Sequence, residues 1–118
     1  MLYPMNQVIL NLHAECVWQD MQSIFPKLRV FTCPRVMLNG RLRTTAGLCY
    51  QADRIIYLNT KMILKYERYM LSTILPHELA HQVDYDLFGA INKKDWHRLT
   101  WQRIMVLYGL EPAPFISV

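Results

Sequence analysis

The chain has 118 residues, 53% of them apolar and 19% charged, and a formal net charge of +4. That length suits one domain with a real hydrophobic core, and the composition excludes an intrinsically disordered chain; the modest basic excess is compatible with an anionic partner without specifying one. Three widely spaced cysteines with no C-x-x-C pair argue against a cysteine-based metal site, no apolar run is long enough for a bilayer, and the first residues resemble no secretory leader, so no membrane partner and a cytoplasmic setting are expected.

Residues 6–24 are predicted to be helical, with Leu10, Ala14, Val17, Met21 and Ile24 on one face and Pro26 as the stop. His13 on this helix reads as a surface residue. Residues 28–32 are β-rich and read as a short strand interrupted by Pro34. Residues 36–43 read as a hairpin, because Asn39-Gly40 supplies the positive φ angles of a type I′ turn. Residues 44–51 and 54–58 read as two more strands turning at Ala52-Asp53.

Helical structure is expected from residues 60–66 onward, leading to a helix over residues 73–88 that Gly89 stops. Ile74, Leu75, Leu79, Val83 and Leu87 give that helix an apolar stripe. Pro76 either starts it or kinks a longer helix beginning near Glu67. A last helix is expected over residues 92–107, with Asn92 as N-cap and Gly109 as stop. The order is therefore an N-terminal helix, a small antiparallel sheet of about three strands with a hairpin, and two further helices. Sheet and helices are segregated, which is the α+β class, in one domain over residues 1–118.

Within the long helix, His77-Glu78-Leu79-Ala80-His81 spells H-E-x-x-H. Four residues overshoot one helical turn by only about 40°, so His77 and His81 project from one face about 6 Å apart along the axis. That spacing suits two imidazoles on one Zn²⁺, and Glu78, about 100° round the helix, lies beside the metal as its general base. A catalytic zinc takes three protein ligands and keeps a position for water. Downstream candidates for the third are Asp84, Asp86, Asp95, His97 and Glu111. Asp84 falls near the face of His77 and suits a supporting hydrogen bond to a ligand histidine. His97 is favoured as the ligand, because a chain reversal near Gly89 would bring the last helix back over the first two. Trp101 and Met105 then follow it as a buried stripe, read as core packing.

These blocks resemble the SprT-like metalloprotease family, which includes bacterial SprT proteins and the eukaryotic Spartan proteases. Its members carry H-E-x-x-H and then a third histidine in a pattern close to H-G-x-x-[WF]-x-x-x-M. Here the second block is His97-Arg98-Leu99-Thr100-Trp101 with Met105, and Thr45-Ala46-Gly47 and Ile55-Ile56-Tyr57-Leu58-Asn59 resemble the strands before the metal helix. Arg98 departs from the pattern by replacing its glycine, the stretch between His81 and His97 is slightly long, and the Asn39-Gly40 hairpin reads as an insertion. The resemblance implies a minimal zincin-like fold; bacterial members usually append a cysteine zinc ribbon, and none is expected within residues 1–118.

It also implies zinc on His77, His81 and His97, Glu78 as the catalytic base, a protein or peptide substrate, and action on proteins bound or crosslinked to DNA. Arg35, Arg41, Arg43, Lys93, Lys94 and Arg98 offer phosphate-neutralising charge and are the candidate DNA contacts. Solvated basic surface explains the same residues equally well. Two rival readings remain open: a zinc-stabilised, non-catalytic DNA-associated or regulatory module, and a peptidase with no nucleic-acid role.

Overall fold

A computed structural model of the chain describes residues 5–89 and 97–112. The Asn6 side chain accepts a hydrogen bond from the backbone N–H of Ile9 at 3.0 Å and so caps helix α1, Gln7–Ile24. Leu10, Ala14, Trp18 and Met21 form its buried face. Trp18 thus joins the stripe expected from sequence, while Ile24 lies exposed.

The strand expected over residues 28–32 is a 3₁₀ helix instead, Pro26–Val30. Proline starts a helical turn readily because its φ is already set, and Val30 is 84% exposed, so its β preference has no sheet surface to act on. Only Leu28 of this turn is buried.

Strands β1 (Arg35–Asn39), β2 (Gly47–Tyr50) and β3 (Ile55–Asn59) form one sheet in the order β1-β3-β2. β1 runs parallel to β3, with Arg35 opposite Ile55 and Asn39 opposite Asn59, whereas β2 is antiparallel to β3. The sheet is therefore mixed, not antiparallel. Nor is Asn39-Gly40 a hairpin turn: β1 and β2 are on opposite edges, and positive φ among the described residues is confined to Arg54, Gly89 and Gly109. Asn39 instead accepts the N–H of Arg41 through its side chain at 2.9 Å, a local turn that starts a crossing loop.

Asn59 organises that loop. Its buried amide donates to the carbonyls of Leu42 and Thr45, both at 3.1 Å, and its side-chain oxygen caps helix α2, Thr60–Lys65, by accepting from Met62 N–H. Between β2 and β3 the chain turns at Arg54, with φ of 55°. Arginine holds this left-handed conformation because its side chain is fixed by contacts. The guanidinium donates to Asp86 at 2.6 Å and to the Thr32 carbonyl, and lies over the rings of Trp18 and Phe31.

After α2 come a single turn α3, Glu67–Tyr69, a π-helical turn over Met70–Ile74, and helix α4, Leu75–Phe88. Both expectations for Pro76 hold at once: it lies in the first turn of α4, and the helical path does begin at Glu67. The widened turn, closed by the Leu75 N–H on the Met70 carbonyl, takes up the misfit where proline breaks the ladder. Gly89, at φ 67°, stops α4.

Helix α5, Leu99–Tyr108, ends at Gly109 with φ 103°. It is shorter at its start than the helix expected over 92–107, and Asn92, the expected cap, lies outside the described residues. Met21, Leu28, Ile56, Leu58, Leu75, Leu79, Trp101 and Ile104 meet in one core, with α4 passing through it. No helix among the described residues is long and apolar enough to cross a membrane.

Removing Arg54 would leave the Asp86 carboxylate, 1% exposed, buried without its cation. Arg54→Met is expected to destabilise the fold by about 3 kcal/mol, read from urea unfolding midpoints; a loss under about 1 kcal/mol would show that the pair is dispensable.

Candidate metal centre

The first ten residues of α4 are all buried, so the helix carries His77, Glu78 and His81 into the protein rather than displaying them. As expected from the i, i+4 spacing, the two imidazoles sit side by side, with ring centroids 5.1 Å apart. His97 completes a triangle, at 5.3 Å from His77 and 4.9 Å from His81. One ligand atom from each of the three lies within 4.8 Å of the others. A tetrahedral ion with bonds of 2.0–2.1 Å spaces its ligands about 3.3 Å apart, which small rotations of the rings can reach.

His97 reaches this position differently from the sequence-based expectation. It is not on the last helix but in a turn two residues ahead of α5, half-buried, with its carbonyl accepting the Gln102 side-chain amide at 2.9 Å.

The donor set fits a metal ion. Burial pushes the His77 imidazole down to about 4, with a smaller contribution from His97, and burial lowers His97 as well. Both rings are therefore neutral at neutral pH, the form that binds metal. The Nδ1 atom of His77 is buried with no hydrogen-bond partner among the described residues, while Nε2 lies 4.0 Å from the Glu78 carboxylate. Three histidine nitrogens around one ion would leave at least one coordination position open for a reactant.

Glu78 is buried next to this group, and burial pushes its carboxyl up to about 8. It can be there because residue 47 is glycine. A Cβ at Gly47 would stand 3.0 Å from Glu78 Cγ and 3.2 Å from Glu78 Oε2. Strand β2 is stitched to α4 beside this contact. The Gln51 amide donates to the His81 carbonyl at 2.8 Å, and the Gln82 amide donates to the Gln51 carbonyl at 3.1 Å.

Trp101 is the floor of the site, a role its reading as core packing missed. Its ring stacks on His81 at 5.1 Å and 14°, and meets His77 and His97 edge-on at 4.8 and 4.6 Å. Its indole N–H donates to the His77 carbonyl at 3.3 Å. Sequence spacing signals that Trp101 is buried; no local pattern says that it touches all three rings.

Asp84 is fully buried, and the partners the structure gives it are Arg98 and Thr100. Arg98, a candidate DNA contact by sequence, thus turns its guanidinium inward to this carboxylate. Arg35, Arg41 and Arg43 are exposed, and Lys93 and Lys94 lie outside the described residues.

With three histidines around one point and a carboxylate beside them, the relatives of the chain become decisive. The model of the SprT-like family matches residues 13–111. The chain belongs to the SprT-like family. It is 34% identical over 77 residues to Protein SprT of Pasteurella multocida, an alignment covering 65% of this chain and 44% of that protein. It is 29% identical over 105 residues to Protein SprT of Pseudomonas paraeruginosa, covering 87% and 60%. The chain spans about half the length of the curated relatives it matches. No solved structure matches it.

This SprT-like site makes a prediction about pH in the metal-free protein. Glu78, raised from 4.5 to about 8, contributes stability that is full below pH 4.5 and is lost as pH rises through 8. His77, lowered from 6.5 to about 4, contributes stability that is full above 6.5 and is lost as pH falls through 4. The two slopes oppose each other between 4.5 and 6.5, and only the Glu78 slope remains above 6.5. Melting of chelator-treated protein should therefore drop from pH 6 to pH 8, and Glu78→Gln should remove most of that drop. Identical pH profiles for the two proteins would refute the buried-acid account.

Proposed function

We propose that this protein is a zinc-dependent endopeptidase of the SprT-like type, acting on proteins held on or crosslinked to DNA. The observation that carries the peptidase reading is the Glu78 carboxylate lying beside a three-histidine group, 4.0 Å from a nitrogen of His77. His77, His81 and His97 would hold the zinc. Bound there, zinc supplies Lewis acidity, lowering the pKa of water to about 7 and polarising a carbonyl. Glu78, whose carboxylate form burial alone disfavours, would be ionised more readily with a dication held beside it.

Glu78 then acts twice. As the base it takes a proton from the attacking water, and as the acid it returns that proton to the amine nitrogen leaving the broken peptide bond. The buried setting excludes bulk water and strengthens these charge interactions.

Strand β2 offers a place for an extended substrate. It is a sheet edge, and its register with β3, continued by the Asn59 N–H on the Ala46 carbonyl at 2.9 Å, turns the backbone groups of Gly47 and Cys49 away from β3. A peptide can add to such an edge by main-chain hydrogen bonds, which makes sequence preference weak. The DNA part of the proposal is supported by the family resemblance and by exposed Arg35, Arg41 and Arg43.

Glu78→Gln should retain zinc and lose cleavage of a denatured protein substrate by at least about a thousandfold, given that acid–base catalysis contributes about 10²–10⁴-fold at each of two steps. Retained cleavage in that variant would end the mechanism. Zinc binding without cleavage in the parent protein, with or without single-stranded DNA, would favour a non-catalytic zinc module; equal turnover with and without DNA would favour a general peptidase. Gly47→Val should lower kcat while leaving zinc content unchanged, because the added side chain displaces the base and not the ligands. Unchanged kcat would show that Glu78 has room elsewhere.

A further inference from the structure

His97 is the one histidine of the three that no helix holds. His77 and His81 are fixed by α4, whereas His97 sits in a turn before α5. The next residue, Arg98, makes a two-pronged contact with Asp84: Nε to one carboxylate oxygen and an Nη to the other, both 3.1 Å. The same guanidinium donates to the Phe88 carbonyl at 2.9 Å, at the end of α4. Thr100 adds a hydroxyl donor to Asp84 at 2.7 Å. Asp84 lies on α4 only three residues beyond His81, so one short chain of bonds connects the third histidine to the helix bearing the other two.

We propose that Arg98 and Asp84 form an ionic latch that presents His97 to the metal, making Arg98 a positioning residue of the site. This inference rests on the three-histidine metal reading. The latch is strongly biased to the closed state. The Asp84 side chain is fully buried, whereas that of Arg98 is 32% exposed, so opening would leave a buried carboxylate with the Thr100 hydroxyl in place of a cation. The planar guanidinium matches both carboxylate oxygens at once, which fixes direction as well as distance. A glycine at this position would offer no such contact.

The test is a thermodynamic cycle on zinc affinity, measured by competition with a chromophoric chelator, with Arg98→Met made in the parent and in His97→Ala. The latch predicts that Arg98→Met weakens zinc binding about ten- to a hundredfold when His97 is present and not at all when it is absent. The visible spectrum of the Co²⁺-loaded Arg98→Met protein should shift to that of His97→Ala. Equal weakening in both backgrounds would mean that Arg98 merely supports the fold, and equal affinity of Arg98→Met and the parent would also overturn the proposal. Arg98→Lys, which keeps the charge and loses the fork, should give intermediate affinity and serves as the test variant if Arg98→Met fails to fold. A parent protein that binds no zinc would overturn the metal reading itself, and the latch with it.

Discussion

The constraint on which the rest depends is the burial of the polar side of α4. His77, Glu78, His81, Gln82 and Asp84 lie within eight consecutive positions, and all are buried. Polar groups taken out of water without partners cost several kcal/mol each in total. The helix can enter the core only if other segments answer these groups one by one. Gln82 is answered by the Gln51 carbonyl and by Asp86, and Asp84 by Arg98 and Thr100, whereas the histidine rings only pack on one another and on Trp101, leaving Nδ1 of His77 without a hydrogen-bond partner among the described residues. Glu78 is accommodated by the missing side chain at Gly47.

These partners explain the architecture around the helix. Gln51, the residue after β2, ties that edge strand to the backbone of His81. Asn59 ends β3, caps α2 and gathers the loop that delivers β2 to its edge. Arg54 turns the chain between the strands while neutralising Asp86 at the far end of the same helix. The three-stranded sheet is one wall of the site. Its role is to hold β2 and β3 against a helix whose inward face is half polar.

What was legible in the sequence is what local spacing encodes. The face of α1, the H-E-x-x-H pairing and the Gly89 and Gly109 stops depend on residues within one or two turns of each other, where helix geometry leaves little choice. Strand partners depend on segments far apart in sequence. Asn39-Gly40 looked like a hairpin turn, yet β3 is the neighbour of both β1 and β2, and Asn39 was drawn into a side-chain turn with Arg41. Arg98 shows the same dependence on a distant partner. A charged residue beside other basic residues looks solvent-facing until its carboxylate partner, fourteen residues earlier on another helix, is seen to be buried. His97 does join His77 and His81 in space, but from a turn and not from the last helix, because residue type does not indicate the element that carries it.

The same burial ties reactivity to shape. A carboxyl kept protonated near neutrality and an imidazole kept neutral are both unfavourable for groups that water would ionise more readily, so the metal-free protein stores that misfit in its core. A cation held by the three histidines would relieve it by giving the imidazole lone pairs a partner and the carboxylate a positive neighbour. Relief requires the groups to stay in place, and each is held by something with another structural duty: Trp101 is core, Gln51 fastens a sheet edge, and Gly47 lies between β2 and α4. A Cβ at position 47 would press on the side chains of Glu78 and Leu58. The position of Glu78 beside the three histidines and the close approach of β2 to α4 are therefore set by the same contact.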